Sequence, residues 1–189
     1  MYMNNPELMK FLQKRSEQSK VVWNQCWQPP LNFFSLFQKC KTVIERDAKI
    51  LTAGNGGSAA QAIHFATEFI SKCKLDHEPW GAISLNSSIS DLTAISNDYS
   101  YDFVFSRPLK ALAKNDDVVI LFTTSGKSKN IINCYNYAKL HDIAVYVFTG
   151  ENQSEFINSD CIAVPSSYTP LVQEVHLYWA HLLVEMLES

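Results

Sequence analysis

The sequence lacks several features that would mark specialised classes of protein. Its 189 residues include 16 lysines and arginines against 19 acidic residues, for a net charge of −3. That balance does not predict the basic surface that nucleic-acid-binding proteins use. No apolar run approaches the ~20 residues that cross a bilayer, and the first residues show no secretory signal. We therefore expect a cytoplasmic protein that binds neither nucleic acid nor membrane.

Cysteine is also scarce, and no C-x-x-C pair occurs. The five cysteines are Cys26, Cys40, Cys73, Cys134 and Cys161. An odd, scattered set indicates reduced and mostly buried thiols rather than a disulfide framework. What is present is an ordinary globular mixture, 47% hydrophobic and 19% charged, without internal repeats or linkers. Its length predicts a single domain over residues 1–189.

Two amphipathic helices are predicted ahead of the first strand. Residues 5–26 carry apolar side chains at helical spacing, and Pro29-Pro30 then interrupts the chain. From Phe33 to Ile44 a second set of apolar residues falls on one helical stripe. We predict that residues 1–46 form an amino-terminal helical hairpin, which packs on the rest of the chain or on another subunit.

From residue 47 the pattern changes to alternating strands and helices. Strands are predicted at 49–53, 81–85, 117–123, 144–149 and 161–164, and helices at 58–73, 90–96, 128–140 and 170–188. The run DVVILFT at 117–123 is typical of a strand buried on both faces. This alternation predicts an α/β fold over residues 47–189, with a doubly wound, mostly parallel five-stranded sheet flanked by helices.

The first strand leads into a glycine-rich loop. Gly54 to Ala59 formally fits the dinucleotide fingerprint G-x-G-x-x-A. That fingerprint also needs an acidic residue at the end of the second strand, where this chain has Leu85-Asn86-Ser87. We therefore predict no nucleotide cofactor. The backbone amides of Asn55 to Ser58, at a helix start, suit an anion instead.

The third strand leads into a second polar loop, Thr123-Thr124-Ser125-Gly126-Lys127-Ser128. Its ending imitates a P-loop, but that motif needs a glycine where this chain has Leu121. The four hydroxyls can bind phosphate, or they can serve only as turn and N-cap groups. Two such loops at the carboxyl ends of parallel strands favour a phosphate site, because open α/β sheets bind ligands there.

Two helices carry candidate acid–base or metal-binding side chains. His64 and Glu68 are four residues apart and share a helix face, which suits metal binding, proton transfer or a plain surface pair. The last helix is apolar around most of its circumference, which predicts burial in the core or between subunits. On it, Gln173 lies two turns before His181, and His176 is a second candidate. Periodicity does not choose between the two histidines.

Four separated segments then agree in order and spacing with one known family. They are GNGGSAAQAIHFATEF (54–69), AISNDYSYDFVFSR (94–107), FTTSGKS (122–128) and QEVHLYWAHLL (173–183). In these motifs the sequence resembles the sugar isomerase (SIS) domain family, in its phosphoheptose isomerase branch. The resemblance extends over essentially the whole chain.

The resemblance implies an aldose–ketose isomerase. It would convert sedoheptulose 7-phosphate to D-glycero-D-manno-heptose 7-phosphate through an enediol(ate), for the heptose of bacterial lipopolysaccharide or capsule. It also implies that Glu68 is the general base, that His181 is the general acid, and that His64, Glu68, Gln173 and His181 bind zinc. The family's enzymes are homotetramers with active sites between subunits, so we expect a homo-oligomer.

The family's substrate contacts carry over position by position. They fall on Asn55, Gly56, Gly57, Ser58, Glu68, Asn97, Asp98, Thr123, Thr124, Ser125, Ser128 and Gln173. The residue types suit the reaction independently. A partly buried carboxylate can take a proton from carbon, and a histidine can exchange hydroxyl protons near neutral pH.

Two other functions are compatible with the resemblance. One is a non-catalytic SIS protein of the replication-initiator-associating type, which binds a phosphosugar or a partner. In those relatives the positions that match Glu68 and His181 carry groups unable to do acid–base catalysis, so the residues here favour an enzyme. The other is an isomerase of a different sugar phosphate.

Overall fold

A five-stranded sheet forms the centre of the computed structural model, which describes residues 5–189. The strands are β1 (Ile50–Gly54), β2 (Ala82–Ser84), β3 (Val118–Phe122), β4 (Ala144–Thr149) and β5 (Cys161–Ala163). Their order is β2-β1-β3-β4-β5, and every pair is parallel. The predicted doubly wound α/β class is confirmed, with a sheet that is wholly rather than mostly parallel. Residues 1–4 of the predicted hairpin lie outside the described residues.

Seven α-helices surround the sheet within residues 5–189. They are α1 (Pro6–Cys26), α2 (Leu31–Glu45), α3 (Gly57–Ile70), α4 (Ile89–Asp98), α5 (Ser106–Leu112), α6 (Lys129–Leu140) and α7 (Thr169–Leu187). Only α5 was not predicted, because it has seven residues and buries only Leu109, too little for a periodic pattern. No helix in the described part of the chain is long and apolar enough to span a membrane.

Capping and proline signals set the limits of the leading helices. The side chain of Asn5 accepts hydrogen bonds from the backbone N–H groups of Glu7 and Leu8, at 3.0 and 3.2 Å. This satisfies two donors that have no partner within the helix. Pro30 immediately precedes α2, where its fixed φ of −66° suits a helix start.

Alternation along the central strand divides the core into two layers. Val118, Ile120 and Phe122 face a cluster built with α1, α2, α3 and α7, whereas Val119 and Leu121 face a cluster built with α5 and α6. All five residues of β3 are buried, as a parallel strand covered on both faces requires. The two leading helices therefore belong to the same hydrophobic layer as the last helix.

Candidate active site

A cavity of about 300 Å³ opens at the carboxyl ends of β1 and β3, where the strand order reverses. It is lined by Asn55, Gly56, Gly57, Ser58, Phe122, Thr123, Thr124, Ser125, Ser128, Thr169 and Gln173. Nine of the twelve predicted substrate-contacting residues are in this set. Both predicted loops therefore contribute to one cavity, at the edge where open α/β sheets bind ligands.

Three helices begin at the cavity wall. The helix α3 begins at Gly57, α6 begins directly after Ser128, and α7 begins at Thr169. The first N–H groups of a helix have no partner within it, and the helix dipole places partial positive charge at that end. Three such ends converging on hydroxyl side chains make a site suited to phosphate.

The glycines of the first loop give it its shape. Gly56 has φ +55°, a conformation that side chains disfavour. A Cβ on Gly57 would lie 2.6 Å from Nε2 of Gln173, so the glycine leaves room for the end of the Gln173 side chain in this position. The amide of Gln173 can then donate to Oγ of Ser58 over 3.4 Å.

The hydroxyls of the second loop partly serve the turn itself. Oγ1 of Thr123 accepts the backbone N–H of Gly126, and Oγ of Ser125 accepts that of Lys127, each at 3.2 Å. A hydroxyl that accepts in this way keeps its own proton to donate. The structural role and phosphate binding are therefore compatible in the same residues.

A cluster of two imidazoles and a carboxylate lies further along α3 and α7. Oε1 of Glu68 is 3.1 Å from Nε2 of His64 and 3.4 Å from Nε2 of His181. The two imidazole nitrogens are 3.0 Å apart. All three ligand-type atoms lie within 4.8 Å of one another. The fold thus brings together three of the four predicted metal ligands, including both predicted catalytic residues.

Burial changes the acidity of the carboxylate in this cluster. The Glu68 side chain is only 10% exposed, and burial raises its pKa above the usual range, although His181 and His64 act to lower it. Its Oε2 is buried and makes no hydrogen bond with a nitrogen or oxygen atom of the described residues, and the Cys73 thiol also acts to lower the pKa of Glu68. A carboxylate held this way is a stronger base than one in water.

The structure separates the two candidate histidines of α7. His176 is fully buried, and its Nε2 lies 3.1 Å from the carbonyl oxygen of Thr149. Burial lowers the pKa of His176 to about 4, so this imidazole is neutral at ordinary pH. His181, by contrast, is partly exposed beside Glu68.

Two predicted site residues, Asn97 and Asp98, lie apart from the cavity, and Gln173 lies apart from the His–Glu cluster. Asn97 and Asp98 end α4 as exposed residues, and the Asn97 amide donates to the Asp98 carboxylate at 2.8 Å. Neither lines the cavity. Gln173 lines the cavity, two turns of α7 before His181, and its amide contacts Ser58. Their predicted roles in substrate or metal binding stay predictions.

Three residues near the cavity were missed from the sequence. Thr169 lines the cavity, and Asn130 and Tyr101 both hydrogen-bond the side chain of Asn55. Asn130 carried a readable signal, because it lies four and eight residues before Cys134 and Ala138 on the buried face of α6. A polar residue at an apolar-periodic position needs a partner.

The end of α7 holds the segment that follows α3. The Glu188 carboxylate accepts the backbone N–H groups of Cys73, Lys74 and Leu75 at 2.7, 2.9 and 2.9 Å. Its side chain is 1% exposed. Burial opposes ionisation of Glu188, but these three N–H donors outweigh it and hold its pKa below the usual range. This contact joins the two helices that carry the His–Glu cluster.

The chain is similar to known proteins in both sequence and structure. The family model described as SIS domain matches residues 32–150. The phosphoheptose isomerase of Helicobacter pylori (strain ATCC 700392 / 26695) is 42% identical over 147 residues, 77% of each chain. That of Thermodesulfovibrio yellowstonii is 36% identical over 189 residues, 97% of this chain and 92% of the relative. The structure of phosphoheptose isomerase from Neisseria gonorrhoeae superposes with a TM-score of 0.87 at 30% identity, covering 96% and 98% of the two chains.

The doubly wound sheet, the polar cavity at the carboxyl ends of its strands and the family match together define a SIS-domain isomerase. The relatives that align over nearly the whole chain are phosphoheptose isomerases. The chain belongs to the phosphoheptose isomerase family.

Proposed function

We propose that this enzyme converts sedoheptulose 7-phosphate to D-glycero-D-manno-heptose 7-phosphate. The observation that carries the proposal is the Glu68 carboxylate, with His64 and His181 at 3.1 and 3.4 Å, on the two helices whose first residues line the anion cavity. The names of the relatives supply the substrate.

The cavity would hold the phosphate end of the sugar. The hydroxyls of Thr123, Thr124, Ser125 and Ser128 would donate to phosphate oxygens, and the amino-terminal ends of three helices would add partial positive charge beside them. His64 lies about 10 Å along α3 from Gly57, and helical side chains tilt back toward the amino terminus. A sugar phosphate carries its carbonyl at the end opposite the phosphate, which suits a base further along the same helix.

Glu68 would transfer the proton between carbons. From the ketose, its carboxylate takes a proton from C1 and gives an enediol(ate), and the same proton is returned to C2 to form the aldose. His181 would exchange the hydroxyl protons, giving one to O2 and taking the one on O1. The raised pKa of Glu68 supports its role as base, because catalysis is most efficient when that pKa lies near working pH.

We propose zinc as the metal of this cluster, one ion per subunit, with Gln173 as a fourth ligand. Two imidazoles and a carboxylate form a donor set that zinc favours. When bound, zinc would stabilise negative charge on the sugar oxygens. Oε1 of Glu68 faces both imidazoles, whereas Oε2 is buried and makes no hydrogen bond with a nitrogen or oxygen atom of the described residues.

The cellular setting and assembly belong to the same proposal. We propose a cytoplasmic homotetramer that supplies heptose for lipopolysaccharide or capsule. Residues 1–189 would act as one domain, since α1 and α2 share a hydrophobic cluster with the sheet and α7. If the sites form between subunits, the exposed Asn97 and Asp98 would reach the cavity of a neighbouring copy.

The test is to follow conversion of sedoheptulose 7-phosphate by NMR, with wild type and Glu68→Gln, before and after zinc is added. We expect aldose from wild type alone, and a variant that still binds substrate, because glutamine preserves the shape but cannot take a proton. Near-normal turnover by Glu68→Gln would remove the assignment of the base. No conversion by wild type would favour another phosphosugar or the non-catalytic hypothesis.

A further inference from the structure

The side-chain amide of Asn55 is hydrogen-bonded to a buried residue. Asn130 of α6 is 2% exposed and pairs with Asn55 through two reciprocal hydrogen bonds. Nδ2 of Asn55 donates to Oδ1 of Asn130, and Nδ2 of Asn130 donates to Oδ1 of Asn55, both at 2.9 Å. Asn55 itself lines the cavity.

The orientation of this amide pair is fixed by the backbone. The N–H of Ile131 is shared between the carbonyl oxygen of Ser128 at 3.1 Å and the Asn130 side chain at 2.9 Å, and a backbone N–H can only donate. The atom it contacts on Asn130 must therefore be the oxygen. The nitrogen of Asn130 then faces Asn55, so Asn55 must present its own oxygen there.

Tyr101 adds a second restraint on the same oxygen. Its hydroxyl donates to Oδ1 of Asn55 at 3.0 Å, so this oxygen accepts from both Asn130 and Tyr101. An amide oxygen has two lone pairs, and both are used. The nitrogen of Asn55 has two N–H bonds, one of which goes to Asn130. Within residues 5–189, no hydrogen bond uses the other.

We propose that Asn130, with Tyr101, is a positioning residue that makes Asn55 a donor-only contact in the cavity. The free N–H of Asn55 would bind an oxygen acceptor such as a phosphate oxygen, and Asn55 would have no acceptor to offer a ligand. This inference rests on the proposed function, in which the cavity holds the phosphate of a sugar phosphate. Without Asn130, the Asn55 amide could rotate and turn its oxygen toward the anion.

A double-mutant cycle tests the proposal, with inorganic phosphate as the probe and calorimetry as the measurement. The proteins are wild type, Asn55→Ala, Asn130→Ala and Asn55→Ala/Asn130→Ala. Asn130→Ala should weaken phosphate binding about tenfold or more, as loss of a hydrogen bond to a charged group does. In the Asn55→Ala background the same change should have little further effect, because Asn130 acts through Asn55. Asn136→Ala, an exposed change on the same helix, is the control.

Tyr101→Phe provides a second variant, since Tyr101 is exposed and its hydroxyl can be removed without disturbing the core. It should weaken phosphate binding in the wild-type background and not in Asn55→Ala. For turnover, both variants should raise KM more than they lower kcat. The proposal would be overturned if Asn130→Ala and Tyr101→Phe both left phosphate affinity unchanged. It would also be overturned if they lowered the affinity equally in the wild-type and Asn55→Ala backgrounds. If the wild type binds phosphate but isomerises no sugar, the proposed function is refuted. The double-mutant cycle of phosphate binding would still test the role of Asn130.

Discussion

At Glu68, burial and neighbouring charge act on the pKa in opposite directions. Burial raises it, and the imidazoles of His181 and His64 lower it. A solvent-exposed carboxylate would be too weak a base to take a proton from carbon, whereas one tightly paired with cations would be weaker still. The half-exposed imidazoles leave burial dominant, and the balance suits a general base.

The two histidines of α7 should respond differently to substitution. His181→Ala should lower kcat by roughly 10²–10⁴-fold, the usual contribution of an acid–base group. His176→Phe should keep most of its turnover, since His176 lies in the core and away from Glu68. The measurement is kcat with sedoheptulose 7-phosphate for both variants, and circular dichroism checks that both are folded. The reverse pattern would contradict the assignment of His181 as the acid.

His176 should also make the protein sensitive to mild acid. Its pKa is about 4 in the folded protein and near 6.5 when unfolded. Between these values the unfolded chain binds more protons, so the free energy of unfolding falls as pH drops from about 6.5 toward 4, by up to roughly 3 kcal/mol. Urea unfolding at about pH 7, 6 and 5 would measure this.

His176→Phe should be less stable than wild type at neutral pH. Its free energy of unfolding should fall less than that of wild type between about pH 6.5 and 4, because the titrating imidazole is absent. His141→Phe, at an exposed position, should follow the wild-type pH dependence. Parallel pH curves for wild type and His176→Phe would show that another group is responsible.

At the scale of elements, the contact between α7 and the segment after α3 can be tested through Glu188. Glu188→Ala removes the acceptor of three backbone N–H groups and should lower the free energy of unfolding by roughly 1–3 kcal/mol. Amide hydrogen exchange at residues 73–75 should become faster, because these groups lose their protein partner. Because the pKa of Glu188 is lower in the folded protein than in the unfolded chain, this carboxylate stabilises the fold when it is ionised. The stabilisation should disappear as the pH falls from the usual pKa of a glutamate through the lowered pKa of Glu188.

Glu185→Ala is the matched control, an exposed glutamate on the same helix. It should change stability by less than about 0.5 kcal/mol. Unaltered exchange at residues 73–75 in Glu188→Ala would mean that the carboxylate does not hold this segment.

Elements with strong local patterns were predictable, and those that depend on tertiary contacts were not. The run from Asp117 to Thr123 is typical of a strand buried on both faces, and β3 lies within it. The helix α5 escaped detection because seven residues give no periodicity. His64 and Glu68 could be paired from their spacing of four, but only packing of α7 on α3 brings His181 to them. The partners of Asn55 were hidden for the same reason.

At the scale of the whole molecule, α1 leaves an unusual amount of apolar surface exposed. Leu8, Phe11, Leu12 and Val21 are all exposed large hydrophobic residues on this helix. Leu8, Phe11 and Leu12 are spaced i, i+3 and i+4, so these three side chains share one face of the helix, and an exposed apolar patch marks an association site. Light scattering should therefore find a stable oligomer, with four times the 21.4 kDa chain mass if it is a tetramer.

Phe11→Lys should shift that assembly toward smaller species, because it places a charge on the exposed apolar face of α1. Glu17→Lys introduces the same charge at an exposed polar position of α1 and should leave the assembly intact. A monomeric wild type at micromolar concentration would contradict the predicted oligomer.

The shared hydrophobic layer of α1, α2 and α7 has a consequence for the timing of folding. The Trp179 indole donates to the carbonyl oxygen of Cys26, so the first helix meets a partner made near the end of synthesis. β1 likewise cannot complete its central pairing until β3 has been translated. Contacts between segments this distant in sequence form slowly, and the apolar faces of the first two helices stay uncovered meanwhile. A newly made chain should therefore depend on chaperones until its last helix has emerged from the ribosome.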